Sequence, residues 1–72
     1  MNLQLLKSKR VLKRYTQESI AEKIGISTKT YNRKELGIKP FTINEVVLLT
    51  ILLELNLAEV NQIFFDNNLP FV

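Results

Sequence analysis

Seventy-two residues leave room for one compact domain, near the lower limit of what an apolar core alone can stabilise, and 46% of them are apolar. Cysteine and histidine are absent, which excludes disulfides, thiolate metal sites, Cys/His nucleophiles and imidazole acid–base chemistry. The net charge of +3 conceals an asymmetry: residues 1–39 hold all ten cations with three acids, whereas residues 40–72 hold four acids and no cation.

Two glycines and two prolines interrupt the chain and no period-2 alternation develops, so the expected class is all-α. Leu3, Leu5, Leu6, Val11 and Leu12 fall on one helical face and predict a first helix over Asn2–Lys13. Thr16 ahead of Gln17-Glu18-Ser19 reads as an N-cap with an acid in the first turn. The second helix then covers Gln17–Ile24, buries Ile20, Ala21 and Ile24, and stops at Gly25. Ser27 caps a third helix over Thr28–Leu36, closed by Gly37. Two helices separated only by Gly25-Ile26-Ser27 must cross steeply, with small Ala21 at the close approach, which is helix-turn-helix geometry. Ile38 to Phe41 forms a loop stiffened by Pro40. Thr42 with Glu45 completes a capping box for a fourth helix over Ile43–Leu55. A fifth spans Ala58–Phe65 and residues 66–72 form a tail, all within a single domain over 1–72.

A basic half joined to an acidic half is the footprint of a nucleic-acid binder, although a charge asymmetry on a solvated surface looks the same in sequence. Catalysis finds no support: Ser19 and Ser27 lack an activating partner, and no metal constellation or glycine-rich phosphate loop is present. No cofactor, metal or small-molecule ligand is expected. Lys7, Lys9 and Arg10 arrive too early for a signal peptide. The longest apolar stretch, Val46 to Leu57, is broken by Thr50, Glu54 and Asn56, so no membrane span is expected. A soluble protein of the bacterial cytoplasm fits, since a secreted chain this small would normally carry disulfides.

The run Thr16-Gln17-Glu18-Ser19-Ile20-Ala21-Glu22-Lys23-Ile24-Gly25-Ile26-Ser27, followed by Thr30-Tyr31, Lys34-Glu35 and Gly37, resembles the Cro/C1-type (XRE-like) helix-turn-helix family of phages and bacteria. Pro40-Phe41-Thr42-Ile43-Asn44-Glu45 and Ile63-Phe64-Phe65 are similar to members from Gram-positive hosts and their phages. The resemblance spans Leu3 to Phe65 and implies a five-helix bundle of the lambda-repressor-like type that binds a double-stranded DNA operator. It places Thr28, Lys29, Asn32 and Arg33 toward the major groove, where Arg and Lys suit guanine, Asn adenine and Thr a thymine methyl. A polar solvent face is the competing reading of those four. Gln17, at a helix start that favours anions, resembles a phosphate contact, as do Lys34 and Lys39. Ser27 and Thr30 either cap the third helix or touch the DNA backbone, and Lys7, Lys9 and Lys13 are weaker candidates. Arg10 and Glu35 resemble the family's internal ion pair, which fixes the tilt of the third helix, and Tyr31 resembles a core anchor. Two positions depart from the family. Arg14 and Tyr15 stand in a turn where many relatives place glycine, so the turn either differs from theirs or carries strain. Leu36 replaces a polar residue and fits a protein contact better than a phosphate.

The predicted fourth helix is apolar almost all round, and a helix in so small a domain buries only one stripe against its own core. Phe64, Phe65, Leu69, Phe71 and Val72 add apolar surface near the C-terminus. Either the fifth helix and tail fold back over this surface, or Leu36, Leu52, Phe64, Phe65 and Phe71 meet another subunit. The family resemblance implies a homodimer on twofold-related half-sites. A small phage modulator that inactivates its cognate repressor by forming a heteromer with it would use the same fold, and so would an antitoxin.

Overall fold

A computed structural model describes residues 1–70, which form α1 (Leu3–Leu12), α2 (Gln17–Ile24), α3 (Thr28–Glu35), α4 (Ile43–Leu52) and α5 (Leu57–Phe64), with no strand among them. The expected all-α, five-helix class is the observed one. Each helix opens on a side chain that accepts from the backbone N–H three residues on: Asn2, Thr16, Ser27, Thr42 and Asn56. At Thr16, Thr42 and Asn56 the third helical residue returns the bond, closing a capping box.

The helix ends repeat one device. After each of the first four helices a left-handed residue is followed by paired backbone bonds that satisfy the last carbonyls. For α1 these run from Arg14 N–H to Val11 O and from Tyr15 N–H to Arg10 O. After α4 they run from Glu54 N–H to Ile51 O and from Leu55 N–H to Thr50 O. Gly25 (φ 80°) and Gly37 (φ 84°) occupy the left-handed position after α2 and α3, but Arg14 (φ 63°) and Glu54 (φ 53°) occupy it after α1 and α4. Of the two alternatives for the turn after the first helix, the left-handed Arg14 favours strain. Glu54 also explains why α4 ends at Leu52 rather than Leu55: the chain reverses hand there before Leu55 drops into the core.

The core is built from Leu6, Ile20, Ala21, Ile24, Tyr31, Leu49, Leu53, Leu55, Val60, Ile63 and Phe64. Tyr31, Phe41 and Phe64 stack edge to face, with centroids 6.1 and 5.7 Å apart, and so lock α3, the loop after it and α5 together. α2 packs directly on α3, α1 lies on α3 and α5, and α2 reaches α4. The face of α1 differs from the one the leucines suggest. Val11 and Leu12 are exposed while Arg10 is buried, because the inward position is taken by the guanidinium that meets Glu35. Phe64 also departs from its expected role as an interface residue, being a core side chain wedged on Phe41. Leu52 and Phe65 are half-buried and Leu36 is exposed. Phe71 lies outside the described residues. Among these, no helix is long and apolar enough to cross a membrane.

Candidate nucleic-acid interface

The short α2–α3 connection decides which side of α3 faces out. Ile26 packs on the core and Ser27 starts the helix at once, its hydroxyl accepting from Thr30 N–H at 3.1 Å and donating to Thr30 Oγ1 at 2.8 Å. Tyr31, Lys34 and Glu35 consequently point inward, while Thr28, Lys29 and Arg33 are exposed along the opposite side. Ser27 and Thr30 are thus engaged as a cap, with Ser27 still exposed beside the outward face.

A buried polar chain sets the position of α3. Arg10 grips Glu35 with two parallel bonds, Nε to Oε2 at 2.9 Å and Nη2 to Oε1 at 3.1 Å, and its Nη1 donates to the Tyr15 carbonyl at 2.8 Å. One guanidinium therefore ties α1, the turn after it and the end of α3. Burial alone works against the Glu35 carboxylate, but the bonds from Arg10 outweigh it and hold its pKa below the ordinary value. The Tyr31 hydroxyl lies beside this pair without reaching hydrogen-bond geometry, and its burial pushes the phenol pKa up. Gln17 extends the chain outward: its Nε2 donates to Glu35 Oε1 at 3.3 Å, and its Oε1 accepts from Asn32 Nδ2 at 3.1 Å. Gln17 and Asn32, both half-buried, are brought together at the seam of α2 and α3. A primary amide has two donors, so Asn32 keeps one N–H and its carbonyl oxygen for an outside partner.

Lys34 is not the phosphate donor the sequence suggested. Its side chain is buried and its ammonium is paired with Glu45, the capping-box acid of α4. Burial opposes the Glu45 carboxylate as well, and the bond from Lys34 lowers its pKa in spite of that. The pairing was invisible in sequence because it depends on α3 and α4 meeting in space. Lys9 pairs with Glu59 at a partly exposed position, and Lys13 with Glu54 at the surface. The N-terminal ammonium meets Asp66, so every acid of residues 40–72 is matched by a cation from the first half of the chain.

Among the described residues, the cations outside any ion pair are Lys7, Arg14, Lys23, Lys29, Arg33 and Lys39. Lys29 and Arg33 belong to the outward side of α3, and Lys39 is exposed in the loop that follows. A groove bordered by Leu3, Lys7, Gln17, Asn32 and Leu36 runs between the start of α1 and the end of α3. Leu36 and Ile38 are 65% and 69% exposed at that end of α3. The model of the helix-turn-helix family matches residues 6–60 of the chain, a span that holds α2, α3 and the whole Arg10–Glu35–Gln17–Asn32 array. No curated protein and no solved structure matches it.

Proposed function

Because the chain belongs to the helix-turn-helix family of DNA-binding transcription regulators, we propose that it reads an operator by laying α3 in the major groove and controls a phage lysis–lysogeny or similar switch. Thr28, Lys29, Asn32 and Arg33 supply the base contacts. Gln17, Thr30 and Lys39 hold the flanking phosphates, which set orientation while the few base contacts set sequence choice. The protein acts as a homodimer on twofold-related half-sites. The observation that carries this reading is the sorting of α3: Thr28, Lys29 and Arg33 are free and exposed, while Tyr31, Lys34 and Glu35 are consumed inside. The resemblance to regulators of Gram-positive hosts and their phages supports the biological setting.

Exposed Leu36 and Ile38 favour a second reading, in which the end of α3 meets a protein. There the chain is a modulator that binds and inactivates its cognate repressor. One experiment separates the two: a gel shift on the control DNA beside its gene, with and without the neighbouring repressor. A shift by the purified protein alone, weakening steeply with salt, supports operator reading. No shift alone, with release of the repressor from its own DNA, supports the modulator.

A further inference from the structure

We propose that Gln17 is a positioning residue for base reading: it fixes which way round the Asn32 amide faces the DNA, and so makes Asn32 select adenine over guanine. This rests on the operator reading above. The order of atoms is imposed from inside the protein. An ionised carboxylate only accepts, so Gln17 turns its Nε2 toward Glu35 Oε1, at 3.3 Å. Its carbonyl oxygen is thereby aimed at α3, where it accepts from Asn32 Nδ2 at 3.1 Å. Turning either amide over would set oxygen against oxygen, Gln17 on the Glu35 carboxylate or Asn32 on Gln17. The inner end of this relay is firm, because Arg10 grips Glu35 with two bonds and the two side chains are only 8% and 6% exposed.

The outer end of the relay is open. Gln17 and Asn32 line one wall of the groove between the start of α1 and the end of α3. Asn32 has its carbonyl oxygen and one N–H left for a partner, and Gln17 has a second N–H left for a phosphate. In the major groove adenine offers a donor, its N6 amino group, beside the acceptor N7, which matches what Asn32 has left. Guanine offers two acceptors, O6 and N7. A fixed Asn32 carbonyl meets guanine O6 oxygen to oxygen, whereas an unrestrained amide would turn over and donate to it. Lys29 and Arg33 carry no comparable side-chain bond to α2 among the described residues, so the restraint falls on Asn32 alone of the exposed reading face and its seam.

Gel shifts on single-base variants of the control DNA beside the gene test this. Asn32→Ala identifies the base pair that Asn32 reads, as the one where a wild-type preference for adenine over guanine of roughly 5- to 150-fold is lost. Gln17→Met keeps the length of the side chain and removes both amide bonds, and should abolish most of that preference. Gln17→Ala should do the same, alanine being fully compatible with the first position of α2. In the Asn32→Ala background neither change should alter the preference further. The pair that loses selectivity in Arg33→Ala should keep it in Gln17→Met, which a general tilt of α3 would not allow. If the Gln17 variants weaken on every operator by one factor, with the adenine preference intact, the relay is overturned and operator reading stands, with Gln17 as a phosphate contact alone. Loss of selectivity at the Arg33 pair as well overturns the relay too, as does a wild type with no base pair sensitive to Asn32→Ala. A wild type that shifts none of these DNAs overturns operator reading itself, and the relay with it.

Discussion

Removing one half of the Arg10–Glu35 pair should destabilise the protein strongly, whereas removing both should not. The two side chains are 8% and 6% exposed, so solvent screens the pair little. In Arg10→Met the Glu35 carboxylate keeps only the Gln17 amide, at 3.3 Å, in place of two guanidinium bonds. A buried charge left alone in this way costs about 3–5 kcal/mol. A chain of this length has roughly 4–11 kcal/mol in total, so the variant should lose from about a quarter to all of its stability. In thermal unfolding followed by circular dichroism, the Tm should fall by about 12–40 °C. The double variant Arg10→Met/Glu35→Met should recover most of that, because an apolar pair of similar volume avoids the desolvation of both ions. Acid supplies a check of sign. In the wild type the folded pKa of Glu35 lies below its ordinary value, so the stability it lends is present above that value and is lost as pH falls through the folded one. In Arg10→Met the unpaired carboxyl has a raised folded pKa, so the penalty shrinks on acidification. An Arg10→Met variant within about 1 kcal/mol of wild type at neutral pH, or a double variant no better than the single, would refute the reasoning.

The remaining predictions address DNA, the backbone and acid. Arg33→Ala should cost about 1–3 kcal/mol of operator binding and relax selectivity at one base pair, as read by gel shift on a panel of single-base operator variants. Lys39→Ala should weaken binding to all sequences and reduce the salt slope by about one, whereas Lys34→Ala should leave the slope unchanged and lower Tm, because its ammonium is held by Glu45. Arg14→Gly should raise stability by about 0.5–1 kcal/mol in urea, relieving a left-handed residue at some cost in unfolded-chain freedom, and a loss of stability would count against the strain. Glu45→Gln should flatten the acid limb of the stability curve: wild-type Glu45 stabilises fully above its ordinary value of 4.5 and loses this as pH falls through its lowered folded value.

How far the sequence could be read depended on how local each signal was. Thr16, Ser27 and Thr42 announced helix starts, and Gly25 and Gly37 announced ends, because a cap is settled within four residues of chain. Arg14 and Glu54 close α1 and α4 in the same left-handed way, yet a charged side chain gives no signal for that backbone, so α4 was expected to run three residues too far. Apolar periodicity misled at α1, where Val11 and Leu12 look like core and are exposed. The inward place belongs to Arg10, and only its partner Glu35, twenty-five residues on, makes that tolerable. The Gln17–Asn32 and Lys34–Glu45 contacts join different helices and left no trace in residue spacing.

The charge asymmetry, the first hint of nucleic acid, changes meaning once the chain is folded. In sequence it contrasts a basic half with an acidic half. In the structure, Lys9, Lys13 and Lys34 are spent on Glu59, Glu54 and Glu45, so much of the contrast is internal glue between α1, α3 and the C-terminal helices. What it leaves is a smaller set of unpaired cations, with Lys29 and Arg33 on the outward side of α3 and Lys39 just beyond it. The same pairing strips α4 and α5 of unpaired charge, and Ile43, Val47, Ile51 and Leu57 stand exposed on these two helices. The ion pairs thus set where net charge remains on both edges. A variant that frees an acid, such as Lys13→Ala at Glu54, should lower DNA affinity through repulsion. If Lys13→Ala leaves the gel shift unchanged, pairing across the halves does not set the charge that DNA meets.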